Sequence, residues 1–234
     1  MDPVAPAPLS VMSQEDPFRN RPWTAARAEL ADRIWRLHER ASQNAPESEL
    51  TELRSALEEE LDFIPDSHEY LKSVATTPLN SYPFDAEPGV ASEWIKHYAI
   101  ALGRLLAGIA DIRSEWQLVM VDDLAKGFFY ARRILNHRAE SQSGVNVFGD
   151  RNERSMWRES VRAKNYLADG MTLARDLPGK YRVELKRSVL VVLELLRQAE
   201  KSNFDIDVSK TRIGFYHHMQ ISLLARFGRA TFKS

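Results

Sequence analysis

Residues 179–203 read GKYRVELKRSVLVVLELLRQAEKSN, and the assignment of this one segment decides the fold class. Its apolar run, Val189 to Leu193, suits either a buried strand or the middle of a buried helix. Length and flanks select the helix: the segment is several times longer than a typical strand, and good helix formers stand on both sides of the run. A central helix buried on most sides is therefore expected here.

The neighbouring segments carry helical spacing too. Upstream, RNERSMWRESVRAK at 151–164 is followed by a seam at Met156, Ser160, Ala163, Leu167, Met171 and Ala174, at steps of three and four. Small residues in this seam allow another helix to sit close. The opposite side carries Arg151, Arg154, Arg158, Arg162 and Asn165 within an arc of about 80°. Glu153 and Glu159 fall off that stripe, so four guanidinium groups face outward without evident counter-charges. Such a row is either the wet back of an amphipathic helix or a grip on something anionic. Downstream, in 204–227, Ile213, Phe215, Met219, Ile221 and Leu223 alternate as in a strand, while Tyr216, Met219, Leu223 and Phe227 step as a helix. Helix is favoured, because a lone strand finds no partner elsewhere in the chain.

Toward the N-terminus the pattern stays helical. Ile95, Tyr98, Leu102, Leu105, Ile109 and Ile112 form one seam, beside which Gly103 and Gly108 permit close approach of a neighbour. Ser114 and Gln117 have capping-box spacing, opening a helix to about residue 140 with Trp116, Met120, Leu124, Phe128, Ala131 and Leu135 on its apolar side and Asp122 one turn from Lys126. Leu102, Leu105, Ile109, Leu124, Phe128, Val192 and Leu195 are expected to be buried together. Ala26, Leu30, Ile34, Leu37 and Ala41 mark a helix over 24–42, with Thr24 as a cap. Leu50, Leu53, Leu57, Leu61 and Ile64 mark a second, from Pro46 to Pro65, the two forming a hairpin. About two further turns follow, with Asp66 and Glu69 at capping-box spacing.

The fold class expected is all-α: a multi-helix bundle of about seven helices with a flexible N-terminal arm. Residues 1–22, with prolines at 3, 6, 8, 17 and 22, form the arm; 23–76 an acidic helical hairpin region; 77–89 a proline-rich linker or loop; and 90–234 the main bundle, basic toward the C-terminus.

Charge sharpens that division. The formal net charge is -1, yet residues 1–130 hold 12 Lys+Arg against 22 Asp+Glu, and residues 131–234 hold 20 against 11. This asymmetry points to an anionic partner for the basic half, or to the acidic half packing on it. With no cysteine there is no disulfide, thiolate nucleophile or cysteine-ligated metal, which fits a reducing compartment, and a cytoplasmic location is expected. No segment reads as a signal peptide or membrane span. No His-Glu-x-x-His, Glu-x-x-His, Walker or Gly-x-Ser-x-Gly motif occurs, so no metal, cofactor or catalytic residue is assigned. Glu93 and His97, one turn apart, read as a surface pair.

The candidate anion- or partner-binding residues are Arg151, Arg154, Arg158 and Arg162, with Arg132, Arg133, Lys186 and Arg187. A second, aromatic and basic group comprises Arg212, Phe215, Tyr216, Arg226 and Arg229. The function expected is a non-enzymatic helical interaction or assembly subunit that associates with a protein partner or with itself. The alternatives are nucleic-acid binding, by arginine contacts to the backbone and ring stacking, and an enzyme acting on a phosphorylated or nucleotide substrate.

Overall fold

The computed structural model describes residues 25–76, 93–142, 153–205, 213 and 215–228. Eight α-helices occupy them, one more than the count expected: α1 (Ala25–Ser42), α2 (Glu47–Glu58), α3 (Ser67–Thr76), α4 (Ala101–Ile109), α5 (Glu115–Gln142), α6 (Glu153–Gly170), α7 (Gly179–Lys201) and α8 (Phe215–Phe227). A π-helical turn, Lys96–Ile100, leads into α4, and a 3-10 turn, Met171–Arg175, extends α6. There is no strand among the described residues. The N-terminal arm and the 77–89 linker lie outside them, as does Thr24.

Three helices end without glycine by the same device. Asn44, Asp111 and Asn203 take positive φ values of 55°, 60° and 50°, the left-handed region that Asn and Asp tolerate better than other side chains. The next amide then reaches back five residues: Ala45 N–H to the Arg40 carbonyl at 3.0 Å, Ile112 to Ala107 at 3.1 Å, and Phe204 to Ala199 at 2.7 Å. These bonds satisfy carbonyls that a helix end leaves orphaned. Ile112 and Phe204, one place beyond the reversal, are buried, so each reversal also returns an apolar side chain to the core. The end of α2 departs from expectation. The helix stops at Glu58 instead of continuing to Pro65, because turns carry Leu61 and Ile64 into the core without helical geometry. Asp66 has φ 59°, a left-handed reversal and not the extended backbone of a capping residue.

The chain divides into two compact units, with the boundary inside α5 at Ala125 and Lys126. In the unit Arg21–Ala125, α1 and α2 form the expected hairpin. Arg40 grips the Glu49 carboxylate with two bonds of 2.6 and 2.7 Å, and Arg33 bonds Glu60 and the Ala56 carbonyl. Every residue of α4 except Arg104 is buried. Two of its positions leave little room beyond the hydrogen of glycine: a Cβ on Gly108 would meet Ile64 at 2.7 Å, and one on Gly103 would meet Ala125 at 3.0 Å. Arg104, in this apolar setting, is neutralised by Asp122 through bonds of 2.8 and 2.7 Å and donates to the Tyr70 hydroxyl at 3.0 Å. A partly buried guanidinium needs such a counter-ion, and that need takes Asp122 away from the Lys126 pairing its spacing suggests.

The unit Lys126–Ser234 contains the rest of α5 with α6, α7 and α8. The α6 seam is buried from Met156 through Ala174 as its spacing requires. α5 lies against it at Gly127, where a Cβ would stand 2.7 Å from Leu167. On α7, Leu185, Val189, Val191, Val192, Leu195, Leu196 and Ala199 are buried. α8 runs antiparallel to α7: His217 Nε2 lies 4.0 Å from the Glu194 carboxylate, and Lys186 reaches the Gly228 carbonyl at the far end. All seven residues expected in one core are buried, but they divide between the units. Leu102, Leu105, Ile109 and Leu124 belong to the first, and Phe128, Val192 and Leu195 to the second. Trp116 is 48% exposed, since the inward side of α5 begins at Val121 and Leu124.

Candidate interaction face

The outer side of α6 is set by its seam. With Met156, Ser160, Ala163 and Leu167 turned inward, the side chains at the opposite angles are Arg154, Trp157, Arg158, Val161, Arg162 and Asn165, all exposed. Trp157 and Val161 interleave with the arginines, being 38% and 48% exposed. Trp157 is steadied by an edge-on contact with Phe204 at 5.3 Å. Arg158 donates to Ser155 Oγ at 3.4 Å. Arg151 lies outside the described residues.

Glu159 is the local acid, and it is turned away from this face. Its carboxylate lies 3.3 Å from Arg133 of α5, with both side chains largely enclosed. Burial pushes its carboxyl above the usual value, against the fields of Arg133, Arg162 and Arg158. The row is thus not wholly without counter-charge, as its spacing alone suggests: Glu159 partly compensates two of its members from behind. In α2 and just beyond it, Glu60 pairs with Arg33, and Glu58 with Arg54 and His68.

The other described candidates do not join this face. Arg132 is half-buried and Arg133 buried, beside the Phe129 ring at 5.6 Å. Arg187 is half-buried, 3.8 Å from Glu184. Lys186 is buried and donates to the Gly228 carbonyl at 2.6 Å, where it caps the C-terminal end of α8; burial and Arg182 lower its ammonium below the usual lysine value. On α8, Tyr216 and Arg226 are exposed, and the Arg226 guanidinium lies 5.9 Å from the centre of the Phe227 ring. Arg212, Arg229 and the Phe215 side chain lie outside the described residues.

Sequence reading missed Trp157 and Val161 as members of the face, although their steps of three and seven from Arg154 place them there. It could not find the Lys186 cap, which depends on α8 folding back. Among the described residues no group of three or more His, Asp or Glu is placed to hold a metal ion, and Glu93 and His97 stand 3.8 Å apart at the surface. No described helix is long and apolar enough to cross a membrane. Chemically, the α6 face offers planar, bidentate donors and an indole in one strip, a combination suited to carboxylates carried on an amphipathic surface. No protein-family model, curated protein or solved structure matches the chain.

Proposed function

We propose that this protein is a non-enzymatic helical interaction subunit that binds an acidic protein surface on the outer face of α6. The observation that carries the reading is the interleaving of Arg154, Arg158 and Arg162 with exposed Trp157 and Val161 while Glu159 faces inward. Trp and Arg are the residue types that dominate binding energy in protein interfaces, and a phosphate backbone gains little from Val161. The positive charge of the whole C-terminal half adds long-range attraction for an acidic partner.

The test uses a labelled amphipathic peptide of Glu and Leu, with an oligothymidylate as the rival ligand, both followed by anisotropy. The double variant Arg154→Glu/Arg158→Glu should weaken peptide binding about tenfold or more, and Trp157→Ala should weaken it as well. Equal binding by the variants, or no binding by the parent protein, would sink the reading. A second reading, nucleic-acid binding, is favoured by exposed Phe227 beside Arg226 and by exposed Tyr216 at the other end of α8. Tighter binding of the oligonucleotide, with log affinity falling steeply in log salt, would select it instead.

A further inference from the structure

α8 is apolar on two opposite sides. Its inward side carries Ile221 and Ala225, both buried. On the far side, Tyr216, Met219, Leu223 and Phe227 are 79%, 48%, 52% and 76% exposed, and Leu224, on the flank beside them, is 46% exposed. Their steps of three, four, one and three keep them on one stripe, and Gln220 is the uncharged polar member between them. A helix apolar all round is normally covered all round, and a contiguous exposed stripe of large side chains marks an interaction surface.

We infer that this stripe is the interface between two copies of the chain, packed α8 against α8 in antiparallel order. The first support is register. About a two-fold axis between Ile221 and Ser222, Tyr216 meets the position of Phe227, Met219 that of Leu224, and Gln220 that of Leu223. An aromatic ring thus closes each end, Met219 and Leu224 lie inside the rings, and uncharged Gln220 stands against Leu223 at the middle, the self-complementarity that an isologous interface requires. The second is charge. The stripe's own side chains carry none; Arg226, exposed at its edge beside Phe227, meets the position of His217 in this register and not its own copy, so a second copy packs without arginine facing arginine. The third is area. Side chains of these sizes expose on the order of 500 Å² per copy, so the pair buries at most roughly 1,000 Å², the lower bound of a specific interface. An interface of that size belongs to the weak, transient class, and it is separate from the α6 face proposed above.

Sedimentation velocity on the full chain, from about 1 to about 100 μM, should show mass rising from one copy to two. Leu223→Glu should keep the protein a monomer throughout while its circular dichroism melt and its peptide binding on α6 stay unchanged, since Leu223 is exposed in the single chain. Because the chain has no cysteine, orientation is read by mixing Gln220→Cys with Leu223→Cys: mixed disulfide dimers should form faster than those of either variant alone. A monomer at all concentrations, a dimer indifferent to Leu223→Glu, faster same-residue cross-links, or dimerisation that emerges only after removal of residues 1–22 would each overturn the inference.

Discussion

Among the described residues, Glu194 is the carboxylate held furthest below its ordinary value. Its carboxyl is held down to about 2, from an ordinary 4.5, chiefly by the Arg197 guanidinium at 2.6 Å, with Gln198 and His217 assisting against burial. A folded-state value below the unfolded one means that folding favours the ionised form. The contribution to stability is therefore complete above pH about 4.5 and is lost as pH falls toward about 2. Urea midpoints measured through that window should drop for the parent protein, and Glu194→Gln should flatten the drop; parallel curves would show that another carboxylate governs it. Gly127 makes a steric prediction at the same scale. Alanine there would gain up to about 1 kcal/mol in helix propensity, but its Cβ would stand 2.9 Å from the Leu167 backbone nitrogen, which cannot turn aside as a side-chain tip can. Gly127→Ala should destabilise by about 1–3 kcal/mol in chemical denaturation.

Among elements, α6 and α8 show what amphipathic spacing can and cannot say. The α6 seam of Met156, Ser160, Ala163, Leu167, Met171 and Ala174 is legible because its other side is polar enough to leave one choice of inward face. α8 has two apolar stripes, and spacing alone ranks Tyr216, Met219, Leu223 and Phe227 above the pair that is buried, Ile221 and Ala225. Docking on α7 decides between them. Lys186 contributes to that docking, since its ammonium satisfies the Gly228 carbonyl and faces the negative end of the α8 dipole. Lys186→Met should leave this carbonyl without its donor, at a cost of about 1–3 kcal/mol, and α8 amides should exchange with deuterium faster than those of α7. Uniform exchange across both helices would show that the cap does not hold α8. The end of α2 was illegible for a related reason: Leu61 and Ile64 keep the helical step, yet turns deliver them to the core equally well.

At the scale of the whole molecule, Arg21–Ala125 holds 10 Lys+Arg against 19 Asp+Glu, and Lys126–Ser234 holds 21 against 11. The ion pairs described above, such as Arg40 with Glu49 and Arg133 with Glu159, each lie within one unit. Arg154 and Arg158 are exposed, so Arg154→Glu/Arg158→Glu should shift unfolding free energy by no more than about 0.5 kcal/mol per site; a larger loss in thermal melts would mean that the row is structural. The sequence by itself determined the all-helical class, the inward seams of α4 and α6, and the outward arginines, because each follows from residues three and four apart on one helix. Tertiary structure alone decided that Asp122 serves Arg104, that Glu159 turns to Arg133, that Lys186 caps α8, and that the seven core residues divide between two units. Those outcomes join groups 18 or more positions apart, and which of many equally charged or equally apolar partners meet is set by how helices pack, on which local spacing has no bearing.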